Sequence, residues 1–339
     1  MNKVQEQDIR NFVASFALAK DLQNTTFLIT GGTGLIGSSL IYCLLAIDRN
    51  IHIVAPVRNK AKADILYRKY LSYVKVVECD LMTCVYEDID TVDYVIHCAA
   101  PTASRFFVEH AVETFDTIVK GTSALLQYSR RHSVKSFVYL SSLEVYGNLE
   151  DESIPLAEEM QGYLDPLSVR SSYPMGKRAA ENLCALYCAE YNIPIKVARL
   201  TQTTGAGIAK DDNRVIAQFA RCAAEGKDIV LYTRGDSARP YCYTIDAVTA
   251  ILYILLRGKN GEAYNVLSEG TYISVYNMAI FVKENINSKI NVRIEPKDTQ
   301  EYAPVSKLNL SAAKLCSLGW HSQYGLRDIF VRLQEYLHS

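Results

Sequence analysis

TFLITGGTGLIGSSLIYCLLAI, residues 26–47, joins a five-residue run suited to a strand to a glycine-rich turn and then to a long apolar stretch. A strand, a tight turn and a helix in that order are the opening unit of a parallel sheet. Gly31, Gly34 and Gly37 stand at GxxGxxG spacing. In that pattern Gly31 permits the tight turn, Gly34 lets the backbone approach a pyrophosphate at the helix N-terminus, and Gly37 lets helix and strand pack closely. Thr33, Leu35 and Ile36 complete the same loop. A lone glycine pattern says little, but inside strand, turn and helix it predicts a dinucleotide site rather than an ordinary turn.

Outward from this unit, the runs IHIVAPV (51–57), YVKVV (73–77), DYVIHC (93–98), KSFVYLS (135–141) and PIKVARL (194–200) alternate with stretches carrying apolar residues at helical spacing. That rhythm predicts an α/β fold, a Rossmann doubly wound parallel sheet with a smaller C-terminal substrate-binding region. The expected division is a helical extension over residues 1–24, a dinucleotide-binding domain over 25–200, and a mainly substrate-binding domain over 201–339. The apolar stretch within 240–258 is expected to return to the first domain. Further helices are expected near 212–226, 273–286 and 325–337.

The 339 residues are 49% hydrophobic, enough for a large core, and 36 basic side chains stand against 37 acidic ones. That balance excludes a general nucleic-acid or anionic-membrane binder while leaving room for a single phosphate pocket. The first 22 residues hold only a short apolar patch from Phe12 to Leu18, too short for a signal peptide or membrane span, so a cytoplasmic protein is expected. Nine cysteines show no CxxC pair and no cluster near paired histidines. This argues against zinc and against a secreted disulfide framework, so no metal is expected.

The second strand ends in Val57 and Arg58 where an acid would bind the ribose of NAD. The expected cofactor is NAD, with NADP left open: Arg58 either pairs with a 2′-phosphate or is simply solvated. Asp80, after the third strand, is placed to meet the adenine edge or to close a turn.

The order TGGTGLIG, CDL, HCAAP, YLSSLEVYG and YPMGK resembles the extended short-chain dehydrogenases/reductases, in the branch of epimerases and dehydratases acting on nucleotide sugars, over roughly residues 25–337. The resemblance implies a bound nicotinamide cofactor, touched also by Leu81, Ala99 and Ala100, and a nucleotide-diphosphate sugar as substrate. It implies Tyr173 as base, Lys177 as its partner and Ser142 as the hydroxyl holding the sugar oxygen. It also implies a homodimer through the helices around 114–132 and 173–191. A tyrosine, with a pKa of about 10, needs a positive charge nearby to act as a base at neutral pH, and Lys177 and the nicotinamide ring are the two sources.

After oxidation at sugar C4, family members epimerise, dehydrate or decarboxylate. Glu144 resembles the glutamate of the dehydratases and decarboxylases, the other reading being a solvated loop carboxylate. Leu143 stands where dehydratases carry an acid, and leucine has no proton to give. The stretch DPLSVRSSYPMGKRAAE (165–181), with Pro166, Arg170 and Arg178, is similar to that of UDP-glucuronate decarboxylases. Decarboxylation is therefore the expected reaction, with 4-epimerisation or 4,6-dehydration as alternatives. The resemblance further implies Arg239 and Arg214 as substrate-side arginines and places Gln202 in the substrate loop. Ile118 and Gln202 replace asparagines usual in the family, so a nicotinamide-binding sensor or scaffold without catalysis is the alternative of another class.

Overall fold

The computed structural model describes residues 1–84, 86, 89–149, 154–296 and 305–339. Chain order begins α1 (Lys3–Ser15), β1 (Thr26–Thr30), α2 (Leu35–Ile47), β2 (His52–Val57), α3 (Lys60–Tyr67), β3 (Val74–Glu78) and β4 (Tyr94–His97). It continues α4 (Ser104–Glu109), α5 (Ala111–His132), β5 (Ser136–Ser142), α6 (Ser172–Tyr191) and β6 (Ile195–Leu200). Then follow β7 (Gln202–Thr204), α7 (Val215–Glu225), β8 (Ile229–Leu231), β9 (Ala238–Arg239), β10 (Tyr241–Tyr243) and α8 (Thr244–Arg257). The last elements are β11 (Ala263–Val266), β12 (Ile273–Ser274), α9 (Val275–Asn285), β13 (Val292–Ile294), α10 (Ala313–Cys316) and α11 (Leu326–Leu337).

Seven strands form one sheet in the order β11-β6-β5-β4-β1-β2-β3, and every pairing in it is parallel. The order reverses between β1 and β4, where an open α/β sheet leaves a crevice at the carboxyl ends of its strands. All six runs read from the sequence form strands of this sheet. The seventh, β11, was not anticipated: AYNV is short, and Tyr264, Asn265 and Val266 are all buried, so it lacks the alternation that betrays a half-exposed strand.

Asn265 on that strand pins the loop that follows β5. Its side chain accepts a hydrogen bond from the Tyr146 hydroxyl (2.6 Å) and donates to the Leu156 and Ser311 carbonyls (3.0 and 3.1 Å). Helix α8 packs on β5 and β6, on the same side of the sheet as α2. Outside the main sheet, three two-stranded pairs (β7 with β10, β9 with β12, β8 with β13) build the C-terminal region.

Helix α1 opens with a capping box in which Asn2 and Gln5 exchange side-chain and backbone bonds. It packs on α2, α8 and α11. Asp8, buried within it, takes a hydrogen bond from the Tyr243 hydroxyl and faces Arg332 Nη1 at 2.7 Å. Burial pushes the Asp8 carboxyl up to about 6 against the opposing pull of Tyr243 and Arg332. The folded state therefore keeps its proton to higher pH than the unfolded chain does. Stability should fall as pH rises from near 4 to 6, by about 3 kcal/mol at most for a shift from 3.8 to about 6. Denaturant melts across that window should show the slope, and Asp8→Asn should reduce it; an unchanged slope would assign it to the other carboxyls that burial lifts, Asp246 (to about 6), Glu144 and Glu158.

Candidate functional site

The glycine loop sits at the carboxyl end of β1. Gly31 has φ +69°, in the left-handed region, and a Cβ there would lie 2.9 Å from the Ala99 backbone nitrogen. A Cβ on Gly37 would run into the Gly31 carbonyl oxygen, so α2 approaches β1 as closely as it does only without a side chain. Gly34 differs: it is exposed, and a Cβ there would meet only the Gly31 oxygen at 3.3 Å. No side chain caps the N-terminus of α2 behind it. A bare helix N-terminus beside an accessible glycine, with half-buried Thr33, Leu35 and Ile36 around it, fits a pyrophosphate.

Half-buried Ala99 and Ala100 follow β4, and exposed Arg58 follows β2. Asp80 after β3 is half-buried and accepts a hydrogen bond from the Met82 N–H (2.9 Å), so one of its oxygens closes a turn. Leu81 is buried against Gly121 of α5. The cysteines are not all free. Cys79 and Cys84 are joined in a disulfide across the Asp80 turn, which brings their Cα atoms to 5.2 Å. The other seven cysteines are free.

Helix α6 carries the second half of the site. A 3₁₀ turn at Val169–Ser171 leads into it, and Pro174 is its third residue, where a missing N–H costs nothing. Tyr173 and Lys177 are both buried, one helical turn apart. The Tyr173 ring stacks on Phe107, with centroids 4.2 Å apart and planes within 7°. Lys177 Nζ donates to the Leu140 carbonyl (2.7 Å) and lies 4.7 Å from the centre of the Tyr139 ring and 5.8 Å from that of Tyr173.

Burial pushes Lys177 down to about 8, opposed by Glu181. The Tyr173 phenol is pushed well up, first by burial and then by the Glu144 carboxylate, while a hydrogen bond with Ser142 pulls the other way. Desolvation thus dominates the Tyr173 phenol, and the Lys177 ammonium is engaged at the Leu140 carbonyl.

Under this pair lies a hydrogen-bonded chain with no obvious sequence signal. His97 is buried on β4, with Nδ1 2.7 Å from Thr30 Oγ1 and Nε2 3.2 Å from Thr122 Oγ1. Thr122 donates onward to the Ile118 carbonyl (2.6 Å). One tautomer satisfies all three: Thr30 donates to Nδ1, and Nε2–H donates to Thr122. Burial, reinforced by Lys177, pushes His97 down to about 3, so it is neutral. Ile118 itself packs against Gly176 of α6, an apolar role that asparagine does not fill.

Ser142 ends β5 and accepts a hydrogen bond from the Glu144 N–H (3.2 Å). Glu144, in the 3₁₀ turn Leu143–Tyr146, is no solvated loop carboxylate. Burial raises its pKa, while the charges of Arg239 and then Arg170 oppose the shift. Arg239 reaches this point because β9 pairs with β12, Arg239 opposite Ile273. Leu143 turns away into an apolar cluster with Val145, Tyr146, Leu156, Leu308 and Leu310.

Arg214 is held by local partners: its guanidinium forks onto Asp212 (2.6 to 3.1 Å) and donates to the Thr203 carbonyl (2.6 Å). A phosphate there would have to compete with Asp212, two residues away. Gln202 lies half-buried in β7, opposite Tyr241 of β10. Phe107, Tyr139 and His97 were not singled out in the sequence; each reaches the site from a different strand or helix.

Known proteins bear on this arrangement. Residues 27–266 match the NAD dependent epimerase/dehydratase family. UDP-glucuronic acid decarboxylase 6 of Arabidopsis thaliana is 30% identical over 318 residues, 92% of this chain and 88% of its own. UDP-glucuronic acid decarboxylase 1 of Xenopus tropicalis is 26% identical, covering 96% of this chain and 76% of its own. Among solved structures, UDP-glucose 4-epimerase of Thermotoga maritima shares the fold with a TM-score of 0.78 at 22% identity, covering 92% of this chain and 98% of that one. No helix among the described residues is long and apolar enough to cross a membrane. With a glycine loop fitted to a pyrophosphate and a buried tyrosine–lysine pair above it, this chain belongs to the NAD dependent epimerase/dehydratase family, enzymes whose cofactor is a nicotinamide dinucleotide.

Proposed function

We propose that the protein decarboxylates a nucleotide-activated uronic acid, in the manner of the UDP-glucuronic acid decarboxylases it is similar to. The observation that carries this reading is the charge around Glu144. The charges of Arg239 and Arg170 both oppose the burial of that carboxyl, so guanidinium charge reaches the point where an anionic sugar would sit. Leu143, buried in apolar surroundings, offers no proton to a departing hydroxyl, which counts against dehydration.

The dinucleotide would be held by Gly31, Thr33, Gly34, Leu35, Ile36 and Gly37, with Arg58, Asp80, Leu81, Ala99 and Ala100 along its length. Bound there, it supplies a hydride acceptor and later a hydride donor. Tyr173 would take the proton of the sugar C4 hydroxyl as the phenolate, formed only where the positive charge of a bound nicotinamide ring adds to that of Lys177, and Ser142 would hold the oxygen as C4 is oxidised. Lys177 supplies the positive charge behind that proton transfer. With a ketone at C4, the electron pair of the C5–C6 bond moves toward the carbonyl, carbon dioxide leaves, and C5 takes up a proton. Glu144 would deliver it, a role supported by burial, which lets its carboxyl stay protonated to higher pH than usual. Tyr173 returns its proton as C4 is reduced. Arg239, Arg214 and Gln202 serve the nucleotide-sugar side.

The same reading divides the chain into a cofactor part, residues 25–200 with 240–258, and a substrate part over the rest of 201–339. It carries a homodimer through α5 and α6, supported by exposed Val112, Phe115 and Leu186 on those helices, and a cytoplasmic setting, supported by seven free thiols against the one Cys79–Cys84 disulfide.

Incubation of the purified chain with UDP-glucuronate should release carbon dioxide and a nucleotide-activated pentose, both read by mass spectrometry. Water loss from dTDP-glucose alone would make it a dehydratase, and isomerised UDP-glucose alone an epimerase. Cofactor bound without turnover of any of these would leave a sensor.

A further inference from the structure

Far from Tyr173 in sequence and role, Glu269, Cys316 and His321 bring a carboxylate oxygen, a sulfur and an imidazole nitrogen within 4.8 Å of one another. Glu269 lies in the turn after β11, Cys316 is the last residue of α10, and His321 follows Trp320. Glu269 Oε2 and His321 Nδ1 are 3.6 Å apart. Ligands of a tetrahedral zinc ion, with bonds of about 2.0–2.3 Å, stand roughly 3.3–3.8 Å from each other. Small side-chain rotations, open to the exposed Glu269 and His321, close the remaining gap.

The backbone carrying these donors is held on both sides by shared anchors. Asp246 of α8 accepts hydrogen bonds from Ser268 Oγ (2.8 Å), from the Gln323 N–H (2.9 Å) and from the Tyr324 N–H (3.1 Å). One buried carboxylate thus fixes the residue before Glu269 and the chain just after His321. Trp320 is buried and donates from Nε1 to Thr249 Oγ1 (2.9 Å), fixing the residue before His321. Ser322 Oγ accepts the Glu269 N–H (2.9 Å), a direct link between the two segments. Cys316 is held by its N–H to Ala312 and by its carbonyl, which accepts the Gly319 N–H (both 2.9 Å). Such support by surrounding hydrogen bonds is what a metal set requires.

We propose that Glu269, Cys316 and His321 bind a zinc ion that staples the turn after β11 to segment 316–321, leaving the fourth position to water. Thiolate, imidazole and carboxylate together form a zinc donor set. The ion displaces the Cys316 thiol proton to solvent, with no change of oxidation state. Cysteine spacing did not announce the site, because its third donor is remote in sequence.

The test uses the full chain, stripped with a chelator and dialysed. Zinc titrated by calorimetry should bind at one ion per chain and raise the melting temperature. Cobalt in its place should give the sulfur-to-metal charge-transfer absorption and intense visible bands of a tetrahedral thiolate site. Cys316→Ser should abolish the charge-transfer band, and His321→Ala should weaken zinc by at least the roughly 10- to 100-fold that loss of an outer-shell partner costs. His321→Ala should melt like the metal-free parent, since its exposed imidazole faces Glu269 alone among its charged neighbours; Cys316→Ser, whose sulfur also packs against the core, is read by its lost charge-transfer band rather than by its melt. Absence of the charge-transfer band from the parent, or equal zinc uptake by the Cys316→Ser, His321→Ala double variant, would overturn the proposal. The latter result would place the ion on another thiol or make it adventitious.

Discussion

Tyr173→Phe is expected to lower turnover by roughly 10²- to 10⁴-fold, the usual contribution of a positioned acid or base. Fold and dinucleotide affinity should stay close to those of the parent. Phenylalanine keeps the stacked contact with Phe107 and the burial of the ring, so packing loses no volume beyond one oxygen. What disappears is the hydroxyl beside Ser142, the one group of the pair that can exchange a proton with a sugar oxygen. Steady-state rates on the nucleotide sugar, together with dinucleotide binding by calorimetry and a thermal melt, separate the two possibilities. Activity within about tenfold of the parent would remove Tyr173 from the chemistry, and a large drop in melting temperature would make its role structural.

Glu144→Gln should act on a different step. The amide preserves size and leaves the backbone bond to Ser142 intact, but it neither holds nor delivers a proton. Oxidation at C4 should continue while release of the decarboxylated product falls, by roughly 10²-fold if Glu144 protonates C5. In a single turnover, absorbance of the reduced nicotinamide should therefore rise and persist, with little pentose product by mass spectrometry. Equal loss of both signals would mean that Glu144 only shapes the loop between β5 and α6. Because burial raises the Glu144 carboxyl, the product-forming step should also weaken as pH rises through its shifted pKa, and the glutamine variant should lack that limb.

Different residues in the site were legible to different degrees. The three glycines were readable because each answers a constraint within a few residues: a left-handed φ at Gly31 and the Gly37–Gly31 contact lie inside one turn. Tyr173 and Lys177 were readable because four residues of helix bring them to one face. The shifted protonation of Tyr173 was not, since it follows from how deeply the ring is buried, and the spacing carries no information about that. The motif around Arg214 pointed to a substrate and said nothing of its fork onto Asp212.

What the amino-acid order alone determined is therefore what depends on neighbours along the chain: the strand–turn–helix unit, the alternation that makes the sheet parallel, and the tyrosine–lysine pair. The tertiary structure alone decided which side chains meet across crossovers. Phe107 under Tyr173, the Arg239 charge acting on Glu144, Asp8 between Tyr243 and Arg332, and Glu269 with Cys316 and His321 are all meetings of this kind. The reason is physical. Backbone torsion and side-chain period repeat over a few residues and are written locally, whereas such a meeting depends on the length and path of every segment between its partners.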